Sequence, residues 1–144
     1  MPLFDDVPGG EYATVKKLGK GSYGVVYLVR NKKTSDVVCL KKMSLKAMGE
    51  LERTRALQEA KLLYQLNHPN IVAYVDSFVA KSKLYLFMQF CEGGDLDARL
   101  VKMRATGESV PEALVLDWAS QMAFALSYLH DKKVTARSHQ PQVL

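Results

Sequence analysis

Hydrophobic and polar positions alternate along much of the first 90 residues, and short runs of turn-forming residues interrupt the alternation. Runs rich in β-branched and aromatic side chains, such as the Val-Val-Tyr-Leu-Val-Arg of residues 25–30, are typical of strands. Glycine-rich or polar segments separate the first three runs, which favours an antiparallel meander. The pattern predicts five strands, at residues 12–18, 25–30, 37–43, 71–78 and 84–90.

The period of the apolar positions changes between residues 45 and 66. Ala56, Ala60 and Leu63 recur at intervals of three or four, which is the spacing of one helix face. An Asn-His-Pro-Asn segment follows at residues 67–70, and it ends the helix because a residue before proline avoids the helical region. We therefore expect one helix between the third and fourth strands.

Two further helices are predicted after the Cys-Glu-Gly-Gly segment at residues 91–94. The first, at residues 95–104, has an acidic start and a basic end, which matches the helix dipole. The second, at residues 111–130, has Pro111 in its first turn and Ser109 as the expected N-cap.

The second of these helices is apolar on most faces, which is typical of a helix inside a core. Only the polar residues 131–144 follow it in the sequence. We therefore expect large apolar side chains to remain exposed and to form a surface, within residues 113–129, for a possible partner protein. The side chains expected to be exposed are Trp118, Met122, Phe124, Leu126 and Leu129.

The composition is that of an ordinary globular protein, with 48% hydrophobic and 24% charged residues among 144. It excludes wholesale disorder, a collagen-like repeat and a disulfide-stapled miniprotein. The 20 basic and 15 acidic residues give a formal net charge of +5, spread along the chain. This mild surplus favours a solvated basic surface, and we expect no nucleic acid as a partner.

No segment indicates a membrane or a secretory route. The N-terminus lacks the apolar stretch of a signal peptide, and residues 113–129 are too short and too polar to cross a bilayer. Cys39 and Cys91 have neither CxxC spacing nor a nearby pair of histidines. We therefore expect reduced thiols, no metal site and a cytoplasmic location.

Residues 19–24 read Gly-Lys-Gly-Ser-Tyr-Gly and match the pattern G-x-G-x-x-G. A dinucleotide-binding fold needs a helix after these glycines, whereas a strand is predicted here, and the Walker A sequence is absent. The glycines therefore form a turn between two antiparallel strands. Its backbone N–H groups could lie over phosphate groups, and an ordinary hairpin loop explains the pattern equally well.

Two charged side chains farther along the chain fit phosphate chemistry when they are taken together. Strand alternation puts Cys39 and Lys41 on one face and Lys42 on the other, so one of the two lysines could reach phosphate oxygens while the other reaches solvent. Glu59 lies on the apolar helix face, where a carboxylate is costly unless it is paired. Its partner is either Arg55, one turn away, or Lys41, and spacing alone does not decide between them.

In combination these features resemble the catalytic domain of protein kinases. The glycine motif extends to Val26 as G-x-G-x-x-G-x-V. The strand that ends at Lys41 is similar to the kinase sequence V-A-I-K, with Cys39 in place of alanine, and Glu59 corresponds to the helix glutamate that follows.

Later segments extend the resemblance to about residues 12–134. The His-Pro-Asn-Ile-Val of residues 68–72 is similar to the turn after the kinase helix, and residues 84–96 are similar to the fifth strand and the hinge. At residues 91–96, 117–118 and 128–130, the sequence is most similar to that of the NIMA-related Ser/Thr kinases.

The resemblance implies an α+β fold. A kinase-like N-lobe, with a five-stranded antiparallel sheet and one large helix, would be followed by the first helices of an incomplete α-rich C-lobe. The expected parts are an N-terminal extension at residues 1–11, an ATP-binding N-lobe at 12–90, a hinge at 91–94, the start of the C-lobe at 95–134, and a tail unlike a kinase at 135–144.

The resemblance also implies an ATP site. The three glycines would cover the phosphates, with Tyr23 at the tip of the loop. Lys41 would bind the α- and β-phosphates and pair with Glu59. Val26 and Cys39 would enclose the adenine ring.

The remaining expected contacts come from the end of the fifth strand and from the hinge. Met88 would be the gatekeeper behind the adenine, and the backbones of Gln89 and Cys91 would hydrogen-bond its edge. Asp95 would reach the ribose. The residues expected to bind ATP are Leu18, Gly19, Lys20, Gly21, Ser22, Tyr23, Gly24, Val26, Cys39, Lys41, Glu59, Met88, Gln89, Cys91 and Asp95.

The kinase pattern does not continue after Val134. The 144 residues contain neither H-R-D-x-x-x-x-N, which supplies the catalytic aspartate and a Mg²⁺-binding asparagine, nor D-F-G or A-P-E. We therefore expect no catalytic residue or metal ligand and no activity from these residues alone. Mg²⁺ and a protein substrate are expected only for the complete domain.

Three interpretations of the chain stay open at this point. The first is a kinase whose sequence is truncated or frame-shifted. The second is a short product that binds nucleotide or a partner protein as a regulatory or decoy module. The third is a hairpin-and-helix domain unrelated to kinases.

Overall fold

The structure is a computed structural model that describes residues 7–21 and 24–134. It contains the predicted five strands and three helices, and the α+β class is confirmed. The strands are β1 Tyr12–Lys20, β2 Gly24–Asn31, β3 Val37–Ser44, β4 Tyr74–Ala80 and β5 Lys83–Gln89. The helices are α1 Glu50–Gln65, α2 Leu96–Ala105 and α3 Glu112–Asp131.

The five strands form one antiparallel sheet in the order β1-β2-β3-β5-β4. The first three strands form the predicted meander. The last two are not in chain order, because β5 pairs with β3, with Phe87 opposite Leu40. This arrangement places β3 at the centre of the sheet and β4 at its edge.

Hydrogen bonds at the element ends move several of the predicted boundaries. The first helix begins at Glu50 and not near residue 45, because the backbone N–H of Gly49 donates to Oε2 of Glu52 at 3.0 Å and caps the first turn. The strand predicted from residue 71 begins at Tyr74, because the residues before it form a turn in which the N–H of Ile71 donates to the carbonyl of His68 at 3.1 Å.

The N-cap predicted for the third helix is wrong. Pro111 takes that position with φ −60°, and its carbonyl oxygen accepts from the N–H groups of Leu114 and Val115 at 3.0 and 3.2 Å. Ser109 therefore lies outside the cap. The cause is that proline has the φ of a helix start and needs no partner for a backbone N–H.

The chain divides into two compact units. The first contains the five strands and α1. The second contains α2 and α3, and it also includes residues 67–72, which lie between α1 and β4 in the sequence.

The core of the first unit lies on both faces of its sheet. On one face α1 buries Ala56 and Ala60, as its periodicity predicts. Lys41 contacts α1, so its neighbour Leu40 points to the other face. This other face carries what we call the outer-face cluster, which consists of Val7, Val29, Val38, Leu40, Tyr85 and Phe87, with Tyr12, Tyr27, Phe78 and Ala80 packed against them.

In the second unit, polar contacts attach residues 67–72 to α3. The N–H of Asn67 donates to the hydroxyl oxygen of Tyr128 at 3.0 Å, and the amide group of Asn70 donates to Oε1 of Gln121 at 3.1 Å. The ring of His68 packs against that of Tyr128 with centroids 5.0 Å apart. These contacts hold the turn to the helix.

The predicted exposure of α3 is confirmed only in part. Trp118 is buried, with the guanidinium group of Arg99 over its ring at 5.2 Å from the centroid, and Leu129 is half-buried. Both residues share a helix face with the buried Ala125, at spacings of seven and four. The side chains that are exposed as predicted are Met122, Phe124 and Leu126. Within residues 7–21 and 24–134, no helix has the length and apolar character needed to cross a membrane.

The turn between β4 and β5 contains two non-glycine residues with positive φ, Lys81 at 48° and Ser82 at 59°. This region costs such residues about 1–2 kcal/mol each, and Asn-Gly is the favoured pair in two-residue hairpin turns. We expect Lys81→Asn combined with Ser82→Gly to raise the free energy of unfolding by about 1 kcal/mol, measured by urea denaturation. Ser44→Gly is the control: in extended β3 it should lower the same quantity by about 0.5–1 kcal/mol. Destabilisation by both changes would contradict the expectation.

Candidate functional site

The glycine motif forms the connection between β1 and β2. The N–H of Gly21 donates to the carbonyl of Gly24 at 2.8 Å, and Lys20 pairs with Val25 across the two strands. The two ends of the connection are therefore hydrogen-bonded to each other as in a hairpin, which is one of the two interpretations of the motif. A cover over phosphates is compatible with this hairpin and stays a prediction. Ser22 and Tyr23, which were expected to contribute to it, lie outside the described residues.

The first and last glycines of the motif have different surroundings. A Cβ atom added to Gly24 would overlap the backbone carbonyl oxygen of Lys42 and would lie 2.9 Å from Cγ of Met43. Among the described residues, a Cβ added to Gly19 would have no atom within 4 Å. Gly24 is thus required by the packing of β2 on β3, a role that sequence reasoning missed, whereas Gly19 leaves open space.

Lys41 and Glu59 form an ion pair between β3 and α1. Nζ of Lys41 lies 2.9 Å from Oε1 of Glu59, and the two side chains are 30% and 35% exposed. The structure therefore selects Lys41 over Arg55 as the partner of Glu59. Because both side chains are partly accessible, the lysine can still reach a ligand while the carboxylate orients it.

Lys42 points away from this pair. Its Nζ lies 5.7 Å from the centroid of the Tyr85 ring, on the face of the sheet that carries the outer-face cluster. The two adjacent lysines therefore have different surroundings, as strand alternation requires. Only Lys41 lies on the face that α1 covers.

One cross-strand row connects the glycine loop to the ion pair. Gly19 is opposite Val26 in the pairing of β1 with β2, and Val26 is opposite Lys41 in the pairing of β2 with β3. Side chains in such a row share one face of the sheet. The half-buried Val26 therefore lies between the open space at Gly19 and the ammonium-bearing side chain of Lys41.

Apolar side chains occupy the neighbouring row. Cys39 is opposite Leu28 on one side and Met88 on the other. Cys39 and Met88 are both buried, and alternation puts them on the same face as Lys41. Leu18, also expected at the site, is 40% exposed. The structure thus brings an apolar surface beside the ion pair.

The last residue of β5 has its backbone N–H already engaged. The N–H of Gln89 donates to the carbonyl of Ala73 at 2.9 Å, and its side-chain oxygen accepts from the N–H of Ala73 at 3.4 Å. The N–H group of Gln89 is therefore not available to a ligand.

The second unit contains the two remaining predicted residues. The carbonyl of Cys91 accepts from the N–H of Gly94 at 3.2 Å, and burial raises the pKa of the Cys91 thiol, which keeps it protonated at neutral pH. Oδ1 of Asp95 accepts from the N–H of Ala98 at 2.7 Å and caps α2. Sequence reasoning missed this cap, although an aspartate directly before a helical pattern is a known N-cap signal.

The described part of the chain contains no preformed cluster of side chains that could bind a metal ion. Among residues 7–21 and 24–134, no three His, Cys, Asp or Glu side chains lie together in a way that could hold a metal ion.

Comparison with known protein families identifies one match. The protein kinase domain matches residues 12–140 of this 144-residue chain. The match therefore includes both units and all eight elements described above.

Individual relatives are NIMA-related kinases. The chain is 41% identical over 137 residues to serine/threonine-protein kinase Nek4 of Mus musculus, covering 94% of this chain and 17% of the relative. It is 34% identical over 132 residues to Nek1 of Mus musculus, covering 92% and 11%. It is also 34% identical over 129 residues to Nek11 of Homo sapiens, covering 88% and 20%. The chain thus spans a fifth or less of the length of these relatives.

Proposed function

Because this chain belongs to the protein kinase family and is similar to NIMA-related Ser/Thr kinases, we propose that it is the ATP-binding portion of a Ser/Thr protein kinase. The family reaction transfers the γ-phosphate of ATP to a serine or threonine hydroxyl of a protein. The observation that carries the proposal is the ion pair between Lys41 and Glu59, in one row with the open space at Gly19.

The residues on this face of the sheet fit the triphosphate. Lys41 would neutralise oxygens of the α- and β-phosphates, and Glu59 would hold the lysine side chain in position for them. The space at Gly19 lets backbone N–H groups of the loop approach the phosphates closely. Lys20, Gly21, Ser22 and Tyr23 are proposed as further parts of this loop.

The apolar row beside the pair fits the adenine ring. Val26 and Cys39 would enclose the ring, with Leu18 at its edge and Met88 as gatekeeper. The carbonyl oxygen of Gln89 and the N–H of Cys91 are proposed as hydrogen-bond partners of the adenine edge, because the other backbone group of each residue is already bonded. The other carboxylate oxygen of Asp95, which does not cap α2, is proposed to hydrogen-bond the ribose.

Phosphoryl transfer is a separate step, and we propose that these 144 residues alone do not perform it. They contain no H-R-D, D-F-G or A-P-E sequence, which in this family supply the proton acceptor and the Mg²⁺ ligands. In the complete domain Mg²⁺ would accompany ATP and offset its phosphate charge. The chain's own contribution is to bind and orient the nucleotide.

Replacing Lys41 tests the proposal. We expect Lys41→Met to weaken the binding of an ATP analogue by about ten- to a hundredfold in isothermal titration, because a charge-assisted contact with phosphate is lost. The matched control is Lys42→Met, which removes the same charge from the neighbouring position on the opposite face and should leave the affinity within about twofold.

Circular dichroism of both variants would show whether they keep the fold of the wild type. Equal affinity of Lys41→Met and wild type would contradict the assigned lysine. Transfer of radiolabel from γ-labelled ATP to a generic protein substrate, abolished by Lys41→Met, would contradict the proposed inactivity of these residues alone.

A second candidate function is that of a non-catalytic regulatory or decoy module that binds a partner protein. The observation in its favour is the exposed apolar surface of α3, where Leu116, Phe124 and Leu126 are 59%, 65% and 43% exposed. A folded wild-type chain that binds no ATP analogue in the titration above would favour this candidate over the first.

A cytoplasmic location accompanies either function in our proposal. Its support is that, among the described residues, no disulfide joins Cys39 and Cys91, as is usual for proteins in a reducing compartment. The proposed ligands are ATP and, for the complete domain, a protein substrate; we propose neither a nucleic-acid nor a membrane partner.

A further inference from the structure

A residue from outside the kinase match belongs to the core of the sheet. Val7 lies five positions before β1, and the family match begins only at residue 12. Its side chain is nonetheless buried in the outer-face cluster, together with Val29, Leu40 and Phe87.

A tight turn after Val7 directs the chain back towards β1. The N–H of Gly10 donates to the carbonyl of Val7 at 3.2 Å. Gly9 and Gly10 have φ values of +102° and +65°, which glycine adopts without steric cost. This backbone conformation fixes the position of Val7 relative to the start of β1.

Glu11 anchors the other end of the same segment to the turn between β2 and β3. Its carbonyl accepts from the N–H of Lys32 at 2.8 Å, and its carboxylate Oε1 lies 2.7 Å from Nζ of Lys33. The hydrogen bond from Lys33 lowers the pKa of the Glu11 carboxyl, so the pair is charged at neutral pH. The segment is thus attached at both ends.

The surface that receives Val7 is rich in aromatic rings. Tyr12 lies 4.6 Å from Phe87 between ring centroids, and Phe78 lies 5.0 Å from Tyr85 and 5.8 Å from Phe87. Without a cover, this face would expose the largest side chains of β5 to water, at a cost proportional to the exposed apolar area.

We propose that residues 7–11 are a strap that docks Val7 onto the outer face of the sheet. The occupant of this surface is the chain's own segment, and the folding unit therefore begins before residue 12. The strap covers the face opposite to Lys41 and Glu59, so its displacement would expose the outer-face cluster without removing any of the proposed ATP-binding residues. The inference does not depend on nucleotide binding.

Val7→Asp in the full chain tests the strap. We expect its thermal unfolding midpoint to fall by about 5 °C or more, because an unpaired carboxylate cannot stay in the cluster. Val7→Ile should remain within about 2 °C of wild type. The matched control is Val15→Asp, which introduces the same charge at a 48% exposed position of β1 and should lower the midpoint by less than about 2 °C.

Hydrogen exchange distinguishes a displaced strap from general loosening. In Val7→Asp the amides of Gly10 and Lys32, which bond to strap carbonyls, should exchange about tenfold faster or more, while the amide of Leu45, bonded to Ser82, should not change. If Val7→Asp does not fold, Val7→Ala gives the same comparison with a smaller effect. Unchanged exchange at Gly10 and Lys32 in the folded Val7 variants, or a midpoint equal to that of Val15→Asp, would overturn the proposal.

Discussion

Replacement of Phe87 by alanine is expected to lower the free energy of unfolding by about 3–5 kcal/mol. The side chain has no solvent exposure and lies within the outer-face cluster, where it packs against the rings of Tyr12 and Phe78. It is also directly opposite Leu40 of the central strand. The neighbouring rings belong to other strands, so they can close the resulting cavity only in part. The free-energy loss is therefore the transfer free energy of the deleted ring plus the cost of the remaining cavity.

Chemical denaturation followed by circular dichroism measures this loss. The matched control is Phe124→Ala, which deletes the same atoms from a 65% exposed position of α3 and should change the free energy of unfolding by less than about 1 kcal/mol. A loss at Phe87 no larger than that at Phe124 would show that the outer-face cluster is not a packed core.

Replacement of Gly24 by alanine is the second change with a large expected effect, about 1–3 kcal/mol of lost stability. The added methyl group would overlap the backbone carbonyl of Lys42 and press on the side chain of Met43. A side chain can rotate away, but the carbonyl belongs to the ladder between β2 and β3, where Gly24 is opposite Met43. Relief therefore requires the strands to separate, which weakens the pairing.

The control for Gly24→Ala is the same substitution at the other end of the motif. In the part of the chain that the structure describes, the Cβ of Gly19→Ala would have no atom within 4 Å, so this substitution should change the unfolding midpoint in urea by little. If both substitutions destabilise the chain equally, close packing against β3 is not what requires glycine at position 24.

Sequence reasoning succeeded where the pattern is local. Strand alternation assigned Cys39 and Lys41 to one face and Lys42 to the other, and the structure agrees. Helical periodicity likewise identified Ala56 and Ala60 as buried. In each case the position of a side chain follows from the geometry of one element.

The sequence could not decide matters that depend on contacts between elements. Glu59 had two possible partners at plausible spacing, and only the packing of α1 on the sheet distinguishes Lys41 from Arg55. Trp118 was expected to be exposed because the residue that covers it, Arg99, comes from another helix. Long polar side chains such as arginine can cover apolar surface, and this contact cannot be predicted from the pattern of hydrophobic residues.

The same limit explains the missed role of the segment before β1. Val7 lies in a stretch with no hydrophobic period, so no pattern marks it as part of a core. Its burial depends on a turn and on a bond to the β2–β3 connection, both of which require the folded chain. The roles of the expected ATP-binding residues stay predictions, and the titration of the Lys41 and Lys42 variants with an ATP analogue tests the assignment of the lysine.

The central position of β3 limits which insertions and deletions the gene can tolerate in this strand. Its successive residues serve opposite faces, and both neighbouring strands fix its register. Loss of one codon between Val37 and Lys41 would turn each later residue of the strand to the wrong side, placing Leu40 towards α1 and Lys41 among aromatic rings. Loss of two codons would restore the alternation. Single-residue insertions and deletions should therefore be excluded from this strand.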